Sequence, residues 1–364
     1  MKNQEIKKNP MTSLVKKSLM DLPTPTSISL LWNMGFMLGM ILITQVLTGL
    51  ILSMMYTAQV ETVFKTMIMI MRDSKMGWVM RMLHMNGASL FFMVMYTHTA
   101  RGIYFSSPAN KTKVWMSGIL IMLITMATAF LGYVLPWGQM SFWGATVITG
   151  VLSAIPMVGY DLVTWIWGGP SVNQPTLNRF FSLHFIMPMV IIILVITHLM
   201  LLHEKGSSNP ANSHTALEKM KFNPMFSSKD IMPMLLIMIM MMLMTSNIPN
   251  ILGDVENFNP ANPLIAPLHI QPEWYFLFAY VILRSIPSKL GGVIALAASI
   301  LIISVLATKK NMSNKFKMSK KLKFWTLIST ITILTWIGAK SVESPFEGIG
   351  QIYTTLYFSL IMLM

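Results

Sequence analysis

The chain has 364 residues, of which 54% are hydrophobic and 11% are charged. Because a soluble domain carries about 25% charged residues, this composition indicates an integral membrane protein. The absence of cysteine excludes disulfides, thiolate-bound iron–sulfur clusters and covalent c-type haem on this chain. The net charge of +14 comes from residues that flank apolar segments, which argues against nucleic-acid binding.

Charge-free apolar segments predict eight membrane-spanning helices. The first and third segments are long enough to include flanking loop, and the last two are near the minimum length for a span. We therefore expect an all-α membrane protein, with an N-terminal unit over residues 1–215 and a C-terminal unit over 216–364. The segments are 22–60, 82–100, 114–160, 180–203, 231–253, 290–308, 324–339 and 348–364.

Two of these segments carry a pair of histidines at the same spacing. His84 and His98 lie 14 residues apart, and so do His184 and His198. A step of 14 residues at about 100° per residue is about 40° short of four turns, so the two histidines of a pair lie on the same face of their helix. Along the helix axis they are about 21 Å apart. Two such helices predict bis-histidine sites for two haems stacked across a bilayer. A lone histidine on an apolar helix more often serves packing, but the repeated spacing and the cost of intramembrane histidine favour ligands.

Glycines repeat the same period in two other segments. Gly35 and Gly49 lie 14 residues apart, as do Gly118 and Gly132. Glycine lets a backbone approach a flat ligand closely because it has no Cβ. The alternative is plain helix packing, which small residues also mediate in membranes. With the histidine segments, the glycine segments predict a di-haem four-helix bundle in the N-terminal half.

The charged residues divide unevenly between the two sides that eight crossings define. One side holds 19 of the 27 Lys and Arg but 5 of the 13 acidic residues. Because basic loops stay on the cytoplasm-like face, we expect both termini there. This basic side comprises the N-terminus, residues 101–113, 204–230 and 309–323, and the C-terminus.

The topology also predicts which histidines pair. The two histidine-bearing segments are separated by one crossing, so they run parallel. His84 then meets His184 near the less basic side, and His98 meets His198 near the basic side.

Three arginines lie within five residues of these histidines: Arg81, Arg101 and Arg179. Arginine binds carboxylates bidentately, so we expect these side chains to pair with haem propionates. The alternative is ordinary snorkelling of a long side chain at a helix end.

Two long connections lie on the less basic side, at residues 141–175 and 248–288. Loops longer than about 15 residues in a compact protein are usually functional. The second connection carries Glu273 in an otherwise apolar run beside aromatic residues, where desolvation would raise its pKa. A carboxylate tuned in this way can accept a proton from a hydroxyl, although a surface loop acid is the simpler alternative.

Two motifs closely resemble the mitochondrial cytochrome b family. They are residues 132–146 (GYVLPWGQMSFWGAT) and residues 272–275 (PEWY), and the resemblance runs from about Asp21 to the last span. It implies the central subunit of a ubiquinol–cytochrome c reductase in the mitochondrial inner membrane, with both termini on the matrix side. It also implies a low-potential haem on His84 and His184 and a high-potential haem on the other pair.

The resemblance further implies two quinone pockets. A ubiquinol-oxidation pocket would be lined by Phe130, Tyr133, Gly144, Ile148, Pro272, Glu273 and Tyr280. A ubiquinone-reduction pocket would involve Trp32, Asn33, His203, Ser207, Phe222, Lys229 and Asp230. His203 and Asp230 also sit at helix ends on the basic side, where they could deliver protons to a reduced quinone.

The mechanism implied is bifurcated electron transfer, in which quinol gives one electron to an iron–sulfur partner and the other to the nearer haem. The expected partners are cytochrome c1, a Rieske iron–sulfur protein and other subunits of a dimeric complex, together with membrane lipid. Two rivals remain open. A transporter with a histidine proton relay would explain intramembrane histidines, and a different di-haem reductase would share the haems without needing the PEWY motif.

Overall fold

The computed structural model describes residues 20–210, 218–308 and 317–364, and these residues are mostly helical. Two short strands, β1 (Pro23–Pro25) and β2 (Lys219–Lys221), pair antiparallel on the basic side. The predicted unit boundary at 215/216 lies outside the described residues, so the division into two units stays a prediction. The α-helices are α1 Met34–Ser53, α2 Val63–Arg72, α3 Gly77–Tyr104, α4 Ser107–Asn110, α5 Thr112–Val134, α6 Gln139–Gly150, α7 Gly159–Trp167, α8 Gln174–Lys205, α9 Met225–Asn247, α10 Leu277–Arg284, α11 Lys289–Leu301 (continued by a 3-10 turn, Ile302–Ala307), α12 Met318–Gly338 and α13 Phe346–Leu363.

Eight of these helices are long, and they coincide with the eight predicted spans. Helices α1, α5, α8, α9 and α11 with its 3-10 turn are long and apolar enough to cross a membrane by composition alone. In lipid every backbone polar group must be satisfied within the protein, and a helix does this inside one segment. The prediction of an all-α membrane fold is confirmed.

The four N-terminal long helices pack as two pairs, α1 on α3 and α5 on α8. Helix α8 begins at a capping box, in which the Asn173 backbone N–H donates to the Thr176 hydroxyl at 3.1 Å. It ends at Gly206, whose φ of 72° is a left-handed conformation that glycine adopts without strain. The start and end of helix α8 therefore determine where its two histidines lie along the bundle.

The two long connections contain helices and contact each other. The first holds α6 and α7, and the second holds α10 and two 3-10 turns. The Gln139 side chain donates to the Ile265 carbonyl at 2.6 Å, and its backbone N–H donates to the Asn259 carbonyl at 2.9 Å. The two connections therefore form one layer over the less basic end of the bundle.

The C-terminal helices complete the protein against α3 and α5. Helix α9 packs on α3, and the Trp115 indole of α5 donates to the Ile303 carbonyl at 2.9 Å. One apolar cluster runs through both halves, from Ile41 and Phe92 to Leu306 and Leu334, all at most 1% exposed. The C-terminal helices thus pack against one side of the four-helix bundle formed by α1, α3, α5 and α8.

Candidate functional site

The rings of His84 and His184 face each other inside the bundle, with centroids 6.1 Å apart and planes at 86°. Metal–imidazole bonds of about 2 Å, with about 1 Å from each ligating nitrogen to its ring centre, place two axial imidazoles about 6 Å apart. The separation therefore suits one iron between the rings. The pairing matches the order of the histidines along parallel helices.

Hydrogen bonds at Nδ1 orient both of these rings. His84 Nδ1 lies 3.0 Å from the Thr48 hydroxyl, and His184 Nδ1 lies 2.8 Å from the Thr128 carbonyl. A metal-bound histidine usually donates its other ring N–H to such a partner. The Nε2 atom of each ring is therefore available to bind an iron.

A cavity of about 610 Å³ contains this histidine pair. Its volume is within the range of about 300–1,000 Å³ that is usual for cofactor and ligand pockets. Helix α2 covers one side with Phe64, Met67 and Met71. Arg81 and Glu273 also line the wall, so the cavity connects the histidine pair to the loop of the PEWY motif.

The second pair, His98 and His198, lies nearer the basic side, and the two rings are close enough to interact electrostatically. His198 Nδ1 lies 2.8 Å from the Ser117 hydroxyl, whereas His98 Nδ1 lies 3.3 Å from Arg101 Nη2. The Nε atom of Arg101 is buried without a partner among the described residues. Because an unpaired buried donor is costly, this atom fits a propionate at the second site.

The four glycines of the 14-residue pattern each face one histidine ring. A Cβ added at Gly49, Gly118 or Gly35 would lie 3.1, 3.3 or 3.6 Å from Cε1 of its histidine, and one added at Gly132 would overlap the His184 ring. The small residues at these positions therefore leave room for the imidazole rings, and the close approach of the backbone to a flat cofactor stays a prediction. The glycines form a cradle that larger side chains would fill, and together with the ring separation and the unpaired Arg101 donor they fit two haems.

We expect Gly132→Leu to lower the haem content, because the new side chain would displace the His184 ring from the iron position. The matched control is Gly150→Leu, since the nearest atom to a Cβ there is Trp167 Cζ2 at 3.9 Å. Haem per complex, measured from the reduced-minus-oxidised spectrum, checks this prediction. Equal haem content in the two variants would contradict the clearance argument.

The three arginines have different surroundings. Arg81 is on the cavity wall and interacts with Glu273 and Tyr133. Arg179 is exposed, and its guanidinium donates to the carbonyls of Trp165 and Ile166 at the end of α7. Arg179 thus ties α7 to α8, and its pairing with a haem propionate stays a prediction.

Glu273 immediately precedes the 3-10 turn Trp274–Phe276. Burial and then the neighbouring Asp254 carboxylate raise the pKa of Glu273 to about 7, and Arg81 partly opposes them. Asp254 is itself held by the Gln271 amide at 3.2 Å and by the Glu256 backbone N–H at 2.9 Å. A carboxyl group with a pKa near 7 is about half ionised at neutral pH, so it can accept a proton there.

Of the residues expected at quinol oxidation, Tyr133 and Glu273 line the cavity, and Pro272 precedes Glu273 in the chain. The Tyr280 hydroxyl donates to the Ile270 carbonyl at 3.2 Å, which fastens α10 to the segment before the PEWY motif. These four side chains therefore belong to one region at the less basic end.

The remaining three expected residues lie on α5 and α6. The Phe130 ring lies 6.0 Å from the Phe180 ring of α8, and the two ring planes are tilted by 60°. Gly144 is buried in α6 but has open space where a Cβ would be, and Ile148 is half-buried one turn later. They do not line the histidine cavity, so a quinol contacting them would lie beside that cavity.

Segments from distant parts of the sequence meet at the basic end. The Asn33 amide donates to the Lys229 carbonyl at 2.8 Å, and Lys229 Nζ donates to the Ile28 carbonyl at 3.4 Å. The Phe222 backbone N–H donates to the Leu22 carbonyl at 3.0 Å. These contacts bring together three of the residues expected at quinone reduction.

The other four expected residues border the same end. Trp32 lies 5.2 Å from the Arg101 guanidinium, and Asp230 follows Lys229 in the first turns of α9. His203 is in the last turn of α8, and Ser207 follows where that helix ends. All four are partly exposed at this end or near it.

Sequence reasoning missed Thr48, Ser117, Thr128 and Asp254. The first two could have been found, because each directly precedes a glycine of the 14-residue pattern. Thr128 contributes only a backbone carbonyl, which no side-chain pattern reveals. Asp254 is 19 residues from Glu273 and reaches it through the fold of the connection.

Comparisons with known proteins agree with this geometry. Residues 19–206 match the family model described as "Cytochrome b/b6/petB", and residues 260–358 match the one described as "Cytochrome b(C-terminal)/b6/petD". A solved structure titled "Hyperthermophilic respiratory Complex III" is similar, with a TM-score of 0.90 and 28% sequence identity. That similarity covers 96% of this chain and 94% of the other chain.

Proposed function

Since the chain belongs to the cytochrome b family and is a membrane subunit of a bc-type redox complex, we propose that it is the quinone-reactive subunit of a ubiquinol–cytochrome c reductase. The observation that carries the proposal is the His84–His184 pair, which shares its cavity with Glu273. Electron acceptance and proton acceptance from one quinol are thereby brought to the same end of the bundle.

Two b-type haems, when bound, supply a one-electron path between the two membrane faces. His84 and His184 hold the low-potential haem, and His98 and His198 hold the high-potential haem. Arg81 and Arg101 bind the propionates, because each is a half-buried guanidinium next to one of the histidine pairs.

Glu273 acts on the quinol as a proton acceptor. Its pKa of about 7 keeps a fraction of the carboxylate ionised at neutral pH. Tyr133 shares the cavity wall and Tyr280 the PEWY region, so both border a quinol that reaches Glu273. Phe130, Gly144, Ile148 and Pro272 form the rest of the pocket.

Quinone reduction takes place at the basic end. His203 and Asp230 supply protons, since both are titratable and partly exposed at the basic end. Trp32, Asn33, Ser207, Phe222 and Lys229 form the pocket walls. Proton release at one face and uptake at the other then convert electron flow into a proton gradient.

The chain lacks cysteine, so the iron–sulfur and c-type centres belong to other subunits. We propose a Rieske iron–sulfur protein and cytochrome c1 as those partners, in a dimeric complex with bound lipid. The family resemblance leads us to place the protein in the mitochondrial inner membrane, and the distribution of basic residues supports both termini on the matrix side.

The experiment is quinol-dependent reduction of added cytochrome c by the purified complex. Activity that depends on ubiquinol supports the proposal. A complex that contains b-type haem but does not reduce cytochrome c would instead be a different di-haem reductase. A complex without b-type haem would favour the transporter.

A further inference from the structure

Two of the four histidines meet a hydroxyl group that directly precedes their clearance glycine. On α1 the pair is Thr48-Gly49, facing His84, and on α5 it is Ser117-Gly118, facing His198. Each candidate haem site therefore has one histidine held by a hydroxyl from the neighbouring helix. This repeated arrangement takes no part in the function proposed above.

Each of these hydroxyl groups has a carbonyl acceptor in its own helix. The Thr48 hydroxyl donates to the Thr44 carbonyl at 2.7 Å, and the Ser117 hydroxyl donates to the Val114 carbonyl at 2.9 Å. With each O–H donated to the backbone of its own helix, the hydroxyl oxygen is free to accept from the imidazole. We assign the ring proton to Nδ1 on this basis, which leaves the Nε2 lone pair for an iron.

The other two histidines lack this arrangement. Gly35 follows Met34 and Gly132 follows Leu131, which carry no hydroxyl. His184 donates to the Thr128 carbonyl and His98 lies beside Arg101. A side-chain substitution can therefore remove the hydroxyl acceptor at one histidine of each site, where the Gln45 and Val114 carbonyls remain close to the rings, and leave the other histidine unchanged.

We propose that Thr48 and Ser117 are positioning residues that fix the tautomer of one axial ligand at each haem and lower that haem's midpoint potential. The inference rests on the proposed function, since it requires haem at both histidine pairs. An acceptor at Nδ1 raises the basicity of the ligating nitrogen, and a more basic ligand stabilises ferric over ferrous iron.

The test is a redox titration of the complete complex carrying Ser117→Ala. Removing such a partner typically weakens metal binding by about 10–100-fold; a tenfold loss confined to the ferric form raises the potential by about 59 mV. We expect this rise only in the component of the His98/His198 haem. Ser117→Thr retains the hydroxyl and should restore the original potential.

The matched control is Thr197→Val. Thr197 adjoins His198 in the chain, but its hydroxyl donates to the Ile193 carbonyl of its own helix at 3.0 Å. It should leave both potentials unchanged. Thr48→Val is the reciprocal variant and should move only the His84/His184 component.

Selective loss of one haem component in a hydroxyl variant would support the inference in the same way as a shift in its midpoint potential. Such a loss would show that the hydroxyl is needed to hold the histidine ligand. Two components with unmoved potentials, or a shift of both together, would overturn the inference. Fewer than two b-type components in the unaltered complex would overturn the proposed function as well, so the two failures are distinguishable.

Discussion

His184→Ala is expected to remove one b-type haem and to abolish quinol oxidation through this chain. An alanine leaves the iron position beside His84 with one imidazole in place of two rings that are 6.1 Å apart. The reduced-minus-oxidised spectrum should then show only the component of the other pair. Quinol should no longer reduce that remaining component by the route that starts in the Glu273 cavity.

The matched control for this prediction is Leu183→Ala. Leu183 is adjacent in the chain but is 46% exposed on the outer face of α8. Its truncation should leave both haems and the rate of quinol oxidation in place. Two haems at full occupancy in the His184→Ala complex would refute the pairing scheme.

Glu273→Gln is expected to slow quinol oxidation while the fold and both haems survive. An amide has nearly the shape of the carboxyl group but cannot take up a proton at neutral pH. General-base catalysis is worth about 10²–10⁴-fold, which sets the expected loss. Quinone reduction at the basic end should be unaffected, so the two half-reactions are measured separately.

The pH dependence makes this test sharper. A base must be ionised to accept a proton, and burial together with Asp254 raises the pKa of Glu273 to about 7. In the unaltered complex the oxidation rate should therefore rise as the pH increases through about 7. The Gln variant should lose this rise.

Glu343→Gln, in an exposed position between α12 and α13, is the control for the change of charge. It should retain both the rate and the pH profile. An unchanged oxidation rate in Glu273→Gln from pH 5 to pH 9 would make Glu273 a structural loop acid.

The eight long helices follow from the charge-free segments, because a bilayer leaves few alternatives to an apolar helix. The pairing of His84 with His184 follows from the count of crossings. Both inferences depend on the chain's order and composition, which are fully visible in the sequence. Neither inference requires knowledge of how one helix is rotated about its axis relative to its neighbour.

What sequence reasoning missed depends on that rotation. Ser and Thr commonly bond their own helix backbone, so in the sequence only the position before Gly49 sets Thr48 apart from Thr44. Only the packing of α1 on α3 brings the Thr48 hydroxyl to His84 Nδ1. Arg179 illustrates the same limit, since only the fold brings its guanidinium to the carbonyls at the end of α7.

The two connections were expected as long loops, yet helices α6, α7 and α10 form within them. The break before α6 is signalled by Pro136, which has no backbone N–H to continue helix α5, while Leu135 before it still has a helical conformation (φ −61°, ψ −32°). The contact of Gln139 with Ile265 joins positions more than a hundred residues apart, so no local pattern predicts it.

A redox titration of the purified complex tests the central claim most directly. Two bis-histidine sites at different depths predict two b-type components, each titrating as a one-electron couple, and His184→Ala should eliminate only one of them. A single component in the unaltered complex, or the loss of both components in an assembled His184→Ala complex, would contradict the assignment of two separate haem sites to these four histidines.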